Sequence, residues 1–168
     1  MKSSIKFFTV SALVLTLGFS MNLANAHGEK HASDKSADSA ESIGHAANAK
    51  EAKRTIAVHM NDSMRFTPGS FNVKLGETIR IRITNDGKLP HEFVLGTEQD
   101  IAEHAEMMRQ MPNMVHQDAN AVRVAPGHTA DLVWKFSNVG NFLYACLIPG
   151  HWEAGMRGTI KVSASKKS

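Results

Sequence analysis

Three side chains that can bind a metal ion recur at even spacing near the end of this chain. Cys146, His151 and Met156 follow the pattern Cys-x4-His-x4-Met, with two glycines and a proline between them. Glycine and proline favour turns, whereas the apolar runs at 142–145 and 159–162 are typical of strands. The segment therefore predicts a tight loop between two strands, with three candidate ligands on it.

The donor atoms of this loop favour one kind of metal. Two His, one Cys and a weak axial Met form the trigonal blue-copper site, in which soft sulfur and imidazole ligands select copper. The loop supplies three of these ligands, so a second histidine must come from elsewhere. His91 is the natural candidate, because it lies at a turn between an alternating strand and a short apolar strand. The alternative is that Cys146 is a small buried hydrophobic residue and His151 an ordinary surface residue.

The order of these residues resembles that of the cupredoxins, the small blue copper proteins. The stretch at 144–151, Tyr-Ala-Cys-Leu-Ile-Pro-Gly-His, is similar to the ligand loop of rusticyanin-like members. The stretches at 68–78, 91–96 and 125–129, with a Met-rich insert between the last two, are similar to periplasmic cupredoxins associated with copper tolerance. The resemblance covers nearly everything after the N-terminal tail. It implies one type 1 copper site with the ligands His91, Cys146, His151 and Met156.

The N-terminus has the pattern of a secretory signal peptide, which we place at residues 1–26. Lys2 and Lys6 precede an apolar run at 7–21, and Ala-Asn-Ala at 24–26 is a cleavage site. A membrane anchor is the competing interpretation, but the apolar run is short and interrupted by polar residues. We therefore expect an exported, periplasmic protein with no membrane span after cleavage. Its single cysteine cannot form an internal disulfide in that oxidising compartment, and metal ligation gives it another use.

The composition changes again after the predicted cleavage site. Residues 27–53 are mostly small, polar or charged, and they cannot bury enough apolar surface to offset the entropy of ordering. We expect a disordered tail there, a short C-terminal tail at 164–168, and one folded domain at 54–163. His27 and His31 lie in the tail, where the amine and ring of a new N-terminal His27 could together chelate Cu(II). The alternative is a solvated linker whose histidines are incidental.

Alternation with a period of two indicates that the domain is all-β. Apolar residues alternate with polar ones at 79–83 and at 132–136, which predicts strands with one buried and one wet face. Turn residues such as Pro-Gly at 68–69 and Asn-Asp-Gly at 85–87 separate the short strands. Several short strands with turns between them indicate a Greek-key β-sandwich, the cupredoxin-like fold.

One Met-rich insert departs from the strand pattern. Residues 98–111 lack alternation and are rich in helix formers, with Thr97 as a candidate N-cap and Pro112 as a stop. Apolar residues and methionines at spacings of three or four would share one helix face, where they could pack on the sandwich. The alternative is a second, labile Cu(I) site, since thioethers and imidazoles suit that ion. Its candidate ligands are His104, Met108, Met111, Met114 and His116.

A four-ligand site without a water position suits outer-sphere electron transfer and not substrate binding, so we expect no enzyme activity. A resemblance to the larger copper enzymes that contain a cupredoxin unit would require a histidine beside the cysteine to carry the electron to a second copper, whereas Ala145 and Leu147 flank Cys146. Two functions remain: copper tolerance by binding or oxidising surplus copper, or mobile one-electron transfer between periplasmic redox proteins. The near-neutral charge after cleavage argues against nucleic acid as a partner. We expect a monomer.

The residue after the first histidine departs from the family pattern. Many cupredoxins have Asn or Ser there, with a side chain that ties the two ligand loops together, whereas this chain has Glu92. A carboxylate at this position could lower the reduction potential or loosen the ligand geometry.

Overall fold

The fold was obtained as a computed structural model, which describes residues 42–111 and 118–165. In these two ranges the chain forms ten strands, one complete α-helix and one short 3-10 helix at Ala49–Glu51, all within a compact unit at 31–168. The strands are β1 (Gly44–Ala46), β2 (Arg54–Asn61), β3 (Arg65–Thr67), β4 (Ser70–Lys74), β5 (Thr78–Asn85), β6 (His91–Gly96), β7 (Ala121–Val124), β8 (Thr129–Phe136), β9 (Gly140–Ala145) and β10 (Arg157–Ser163). The helix, α1, spans Glu98–Gln110.

The strands form two five-stranded sheets. One sheet has the order β1-β8-β5-β2-β3 and the other has the order β4-β10-β9-β6-β7. The β2–β5 and β4–β10 pairs are parallel and the remaining pairs are antiparallel. The prediction of an all-β sandwich with one helical insert is confirmed.

The inner faces of the two sheets bury the predicted alternating residues. Ile79, Ile81 and Ile83 of β5 are fully buried, and they share one core cluster with Phe93 and Tyr144 from the other sheet. The rings of Phe93 and Tyr144 stack with centroids 5.1 Å apart. Aromatic pairs of this kind contribute about 0.5–1.5 kcal/mol beyond their area burial. The end of β9 that carries Tyr144 is therefore firmly held in the core.

Helix α1 covers the outer face of the second sheet. Thr97 is its N-cap, with its side chain accepting from the backbone N–H of Asp100, and the two residues form a capping box. The buried residues of the helix are Ile101, Ala105 and Met108, which form a second cluster with Val94, Ala145 and Leu147 of the sheet and the following loop. The helix prediction is confirmed, and its buried face packs on the sheet.

The predicted disordered tail is wrong for its last twelve residues. Strand β1 pairs with β8, with His45 opposite Lys135, and the side chain of Ile43 is fully buried in the main core. Gly44 has φ +151, and a Cβ there would collide with the carbonyl of Lys135. Strand pairing uses backbone groups, so a polar segment with a single apolar residue can still join a sheet.

Several predicted segments lie outside the described residues. They are the signal peptide, residues 27–41 of the predicted tail, and the residues at 112–117 and 166–168. Within the described ranges, no helix has the length and apolar character needed to cross a membrane.

Ile43→Ala tests whether the segment before residue 54 belongs to the sandwich. Removing a fully buried Ile side chain typically costs about 2–5 kcal/mol, so the midpoint of denaturant unfolding should fall clearly. Val139→Ala is the matched control, because Val139 is 57% exposed and surface changes usually stay within about 0.5 kcal/mol. Equal unfolding midpoints for the two variants would contradict the assignment of β1 to the core.

Candidate metal centre

The loop that carries three candidate ligands is closed at its base by strand pairing. Cys146 follows β9 directly and Met156 directly precedes β10, and the last residue of β9, Ala145, lies opposite Arg157. The backbone N–H of Cys146 donates to the carbonyl of Met156 at 3.1 Å. The ends of the loop are thus fixed by the same ladder that builds the sheet, as the sequence predicted.

Backbone turns fold the loop back on itself. The N–H of His151 donates to the carbonyl of Ile148 at 2.9 Å, and the N–H of Met156 donates to the carbonyl of His151 at 3.0 Å. Gly150 and Gly155 have φ values of 89° and 90°, which residues with a side chain rarely adopt. These two glycines therefore permit the turns that bring His151 back toward Cys146.

His91 is the first residue of β6, which pairs with β9 in the same sheet. The register places Val94 opposite Ala145, so the start of β6 lies beside the end of β9, where Cys146 follows. The sequence had placed His91 on a turn before a short strand, and the structure places it at the first position of that strand. Its imidazole is fully buried.

The candidate donor atoms of His91, Cys146 and His151 converge. All three lie within 4.8 Å of one another. The Nδ1 atoms of the two histidines are 3.2 Å apart, and Cys146 Sγ lies 3.3 Å from His151 Nδ1. Zinc, a borderline-soft ion, binds imidazole nitrogen at about 2.0–2.1 Å and thiolate sulfur at about 2.3 Å, so two donors at the separations seen here can share one ion of this kind. The donor set fits a soft metal ion.

The environment of the cluster sets its protonation states. Burial raises the pKa of the Cys146 thiol from 9.0 to about 11. Burial, together with the neighbouring His91, lowers the pKa of His151 below its ordinary value. The histidine is therefore a neutral donor at pH 7, whereas the thiol must lose its proton when a metal binds.

Met156, the predicted axial ligand, is fully buried in the core cluster that contains Cys146. His151 is half-buried, and it is the most exposed of the four predicted ligands. The site thus lies under the surface at one end of the sandwich, with one imidazole reaching outward.

Glu92 contacts Cys146 through its backbone. Its backbone N–H donates to Cys146 Sγ at 3.3 Å, a bond that any residue other than proline could make. Its carboxylate lies 3.9 Å from Arg123, directly across the β6–β7 pair. The carboxylate raises the pKa of Cys146 and Arg123 lowers it, so the two charges oppose each other at the sulfur.

Two residues near the site were not found from the sequence. Asp62, in the turn between β2 and β3, accepts from His91 Nε2 at 3.3 Å. Backbone hydrogen bonds from Lys88 and Leu89 hold the pKa of Asp62 below its ordinary value. Arg65, the first residue of β3, donates from Nη1 to the carbonyl of Ala154 at 2.8 Å and so holds the ligand loop. The contacts of Asp62 and Arg65 depend on which strands pair with β2. The alternation of apolar and polar residues predicts strands but does not predict their pairing.

Three of the candidate secondary copper ligands lie in the described part of the helix or directly after it. Met108 is buried in the second core cluster, His104 is half-buried, and Met111 is 44% exposed just past the end of α1. Among the histidine, cysteine and acidic residues in the described ranges, only the cluster of His91, Cys146 and His151 has metal-binding spacing. The other secondary candidates, His27, His31, Met114 and His116, lie outside those ranges.

A two-sheet sandwich with one buried thiol and two imidazoles at its end defines the class of small proteins that bind a single copper ion. Residues 52–163 match the family described as copper binding proteins, plastocyanin/azurin family. The chain therefore belongs to this family of copper-binding cupredoxins.

Three curated relatives of this chain share a name. The chain is 47% identical to the copper-resistant cuproprotein CopI of Rubrivivax gelatinosus over 81% of its own length and 82% of that protein. It is 34% identical to CopI of Pseudomonas aeruginosa and 32% identical to CopI of Vibrio cholerae. Each of those matches covers 89% of this chain, and 92% and 96% of the respective relatives.

Solved structures agree on the fold. Auracyanin from Roseiflexus castenholzii superposes with a TM-score of 0.58 at 22% identity, covering 67% of this chain and 98% of that protein. An azurin from Methylomonas sp. strain J superposes with a TM-score of 0.56 at 21% identity, over 67% of this chain and 99% of the azurin. These likenesses support the cupredoxin sandwich.

The raised pKa of Cys146 predicts slow alkylation in the metal-free protein. A pKa of about 11 instead of 9.0 lowers the reactive thiolate fraction at pH 8 about a hundredfold. Iodoacetamide should therefore modify the folded chain at least that much more slowly than the chain unfolded in guanidinium, and the folded rate should rise as the pH approaches 11. Mass spectrometry reports this thiol alone, because the chain has one cysteine. Equal rates in the folded and unfolded chains would contradict the burial assigned to the thiol.

Proposed function

We propose that His91, Cys146, His151 and Met156 bind one copper ion as the type 1 site of this cupredoxin. The observation that carries the proposal is the convergence of three donor atoms within 4.8 Å at a buried position. Met156 joins them as the weak axial ligand, supported by its burial beside Cys146 and by its place at the end of the ligand loop.

The site would serve one-electron chemistry without an inner-sphere substrate. Copper bound there supplies the change between Cu(I) and Cu(II). The protein holds the Nδ1 atoms of the two imidazoles 3.2 Å apart, on a strand and a loop that are both tied into one sheet, so little rearrangement would accompany a redox change. The residues beside Cys146 are Ala145 and Leu147, both buried, and neither can ligate a second copper. We therefore infer a binding and redox role without enzyme activity.

The role we propose is copper tolerance in the periplasm, by binding or oxidising surplus copper. Three relatives named copper-resistant cuproproteins support this role, because they match 81–89% of the chain. The charged surroundings of His151 also favour it: Glu153 acts on the imidazole electrostatically, and Arg109 lies 3.8 Å from Glu153. A docking face for redox partners is typically more apolar at its centre. The periplasmic location rests on the signal-peptide pattern of residues 1–26.

The second candidate function is mobile electron transfer between periplasmic redox proteins. It is favoured by one observation, the partial exposure of His151 next to two fully buried donors. An imidazole that reaches the surface shortens the path between the copper and a partner.

Additional, weaker copper binding remains part of the proposal for the tail histidines and the Met-rich segment. Met108 is better explained as a core residue, because it is buried against the sheet. The exposed Met111 and the half-buried His104 are the described residues that could still take part.

Cys146→Ser tests the site and the role together. The purified wild-type chain should bind one copper tightly and absorb strongly in the visible, because a Cu(II)–thiolate bond is present, and the variant should be colourless. In a bacterial host that lacks its own periplasmic copper defences, the wild type should raise the copper concentration that permits growth and Cys146→Ser should not.

His128→Gln is the matched control, because His128 is an exposed turn residue whose Nδ1 bonds to the carbonyl of Pro126. It should retain both colour and tolerance. A coloured Cys146→Ser variant would refute the site. A colourless variant that still protects the host would refute copper tolerance through this site and leave the electron carrier.

Met156→Leu tests the axial ligand. The change keeps volume and apolarity and typically costs less than about 1.5 kcal/mol, so the fold and the copper should be retained. Loss of an axial electron-pair donor should withdraw more stabilisation from Cu(II), which carries the larger charge, than from Cu(I), so the reduction potential measured by voltammetry should rise. Met108→Leu makes the same chemical change in a buried methionine of α1 and should leave the potential where it was. An unchanged or lower potential in Met156→Leu would remove Met156 from the ligand set.

A further inference from the structure

The hydrogen bond between Asp62 and His91 fixes which ring nitrogen carries the proton. Asp62 Oδ1 lies 3.3 Å from His91 Nε2. An ionised carboxylate can only accept, so this hydrogen bond places a proton on Nε2, and in the neutral imidazole Nδ1 is then the nitrogen without a proton. Nδ1 is the atom that faces His151 Nδ1 at 3.2 Å, and it belongs to the convergent donor cluster. The carboxylate therefore selects the tautomer that a metal ion needs.

The carboxylate of Asp62 is itself held in place. The backbone N–H of Lys88 donates to its Oδ2 at 2.8 Å, and the N–H of Leu89 donates to its Oδ1 at 3.1 Å. Gly87 completes the cradle, because a Cβ at this position would collide with Oδ1. The side chain is 36% exposed, yet three donors and a glycine-shaped space determine its position. This is a built contact between the β2–β3 turn and the segment that leads into β6.

We propose that Asp62 is a positioning residue of the copper site, which fixes the imidazole of His91 with Nδ1 toward the metal and strengthens it as a donor to Cu(II). The inference rests on the proposed function, because it takes His91 as a copper ligand. Histidines that bind metals commonly donate their other ring N–H to a carboxylate or carbonyl, and that partner raises the basicity of the ligand. A negative charge beside the ligand also stabilises Cu(II) more than Cu(I), since the oxidised ion carries the larger charge.

Asp62→Asn tests this role with little change of shape. Asn retains one carbonyl oxygen for the backbone donors but carries no negative charge. We expect Cu(II) affinity, measured by competition with a chelator, to fall about 10–100-fold. The fold-loss of Cu(I) affinity should be about one tenth of the fold-loss of Cu(II) affinity, and this difference corresponds to a rise of about 59 mV in the reduction potential. Thermal unfolding of the metal-free variant checks that the fold persists.

Two further variants separate the contact from a general charge effect. Asp86→Asn removes an exposed carboxylate that pairs with His59 at 2.7 Å and not with a candidate ligand, so its copper affinities and potential should match the wild type. Gly87→Ala keeps every charge but displaces the Asp62 carboxylate from its cradle, so the potential should rise as in Asp62→Asn. The proposal is overturned if Asp62→Asn behaves like Asp86→Asn, or if Gly87→Ala keeps the wild-type potential.

A measurement on the metal-free protein makes the test independent of copper. Nitrogen-15 NMR of the wild-type chain should show His91 protonated at Nε2 and unprotonated at Nδ1 at a pH where its ring is neutral. A His91 ring protonated at Nδ1 would overturn the positioning role even if copper binds. Failure of the wild type to bind copper would instead overturn the proposed function, while the NMR result would still decide whether Asp62 sets the tautomer.

Discussion

The candidate site depends on the antiparallel pairing of β6 with β9. In an antiparallel pair the start of one strand meets the end of the other, so His91 at the start of β6 and Cys146 just past β9 lie at the same end of the sheet. The backbone N–H of Glu92 then reaches the sulfur at 3.3 Å without help from its side chain. The link between Glu92 and the sulfur is thus a backbone bond, and Arg123 lies 3.9 Å from the Glu92 carboxylate.

Burial keeps the imidazole of His151 neutral, which suits metal binding, and it keeps the thiol of Cys146 protonated until a metal binds. The thiol of Cys146 has a pKa of about 11 in the metal-free protein, so a metal must displace a proton that the interior holds firmly. The pKa of His151 is shifted the other way, toward a neutral imidazole. Copper affinity must therefore decrease as the pH is lowered, chiefly through the thiol. Below the pKa of the thiol, each drop of one pH unit increases the competition from protons tenfold. A rigid core behind the site keeps the donors together in spite of this cost.

Features that depend on residues close together in the sequence could be predicted, whereas features that depend on the pairing and register of strands could not. The loop ligands could be predicted because turn residues and donor spacing lie within eleven residues. Asp62 could not, because its contact with His91 arises only when β2 and β5 run parallel and bring their ends together. Ile43 was missed for a related reason, since one apolar residue in a polar segment gives no periodic signal. The helical spacing of Met108 is the same whether the side chain packs on the sheet or binds a metal. Its burial between α1 and the sheet favours packing.

The β2–β3 connection of one sheet contacts both segments of the other sheet that carry candidate ligands. Asp62 is the first residue of the β2–β3 turn and Arg65 follows the turn, and they bond respectively to His91 and to the carbonyl of Ala154 in the ligand loop. The ligands belong to one sheet and their supports to the other, so the geometry of the site requires the two sheets to stay packed. Metal binding and folding are then linked in both directions: an ion that binds only the assembled site stabilises the sandwich by mass action, and a looser core would weaken the site. A protein that must hold a reactive ion gains from this arrangement, because chains that have lost their core packing also lose the site.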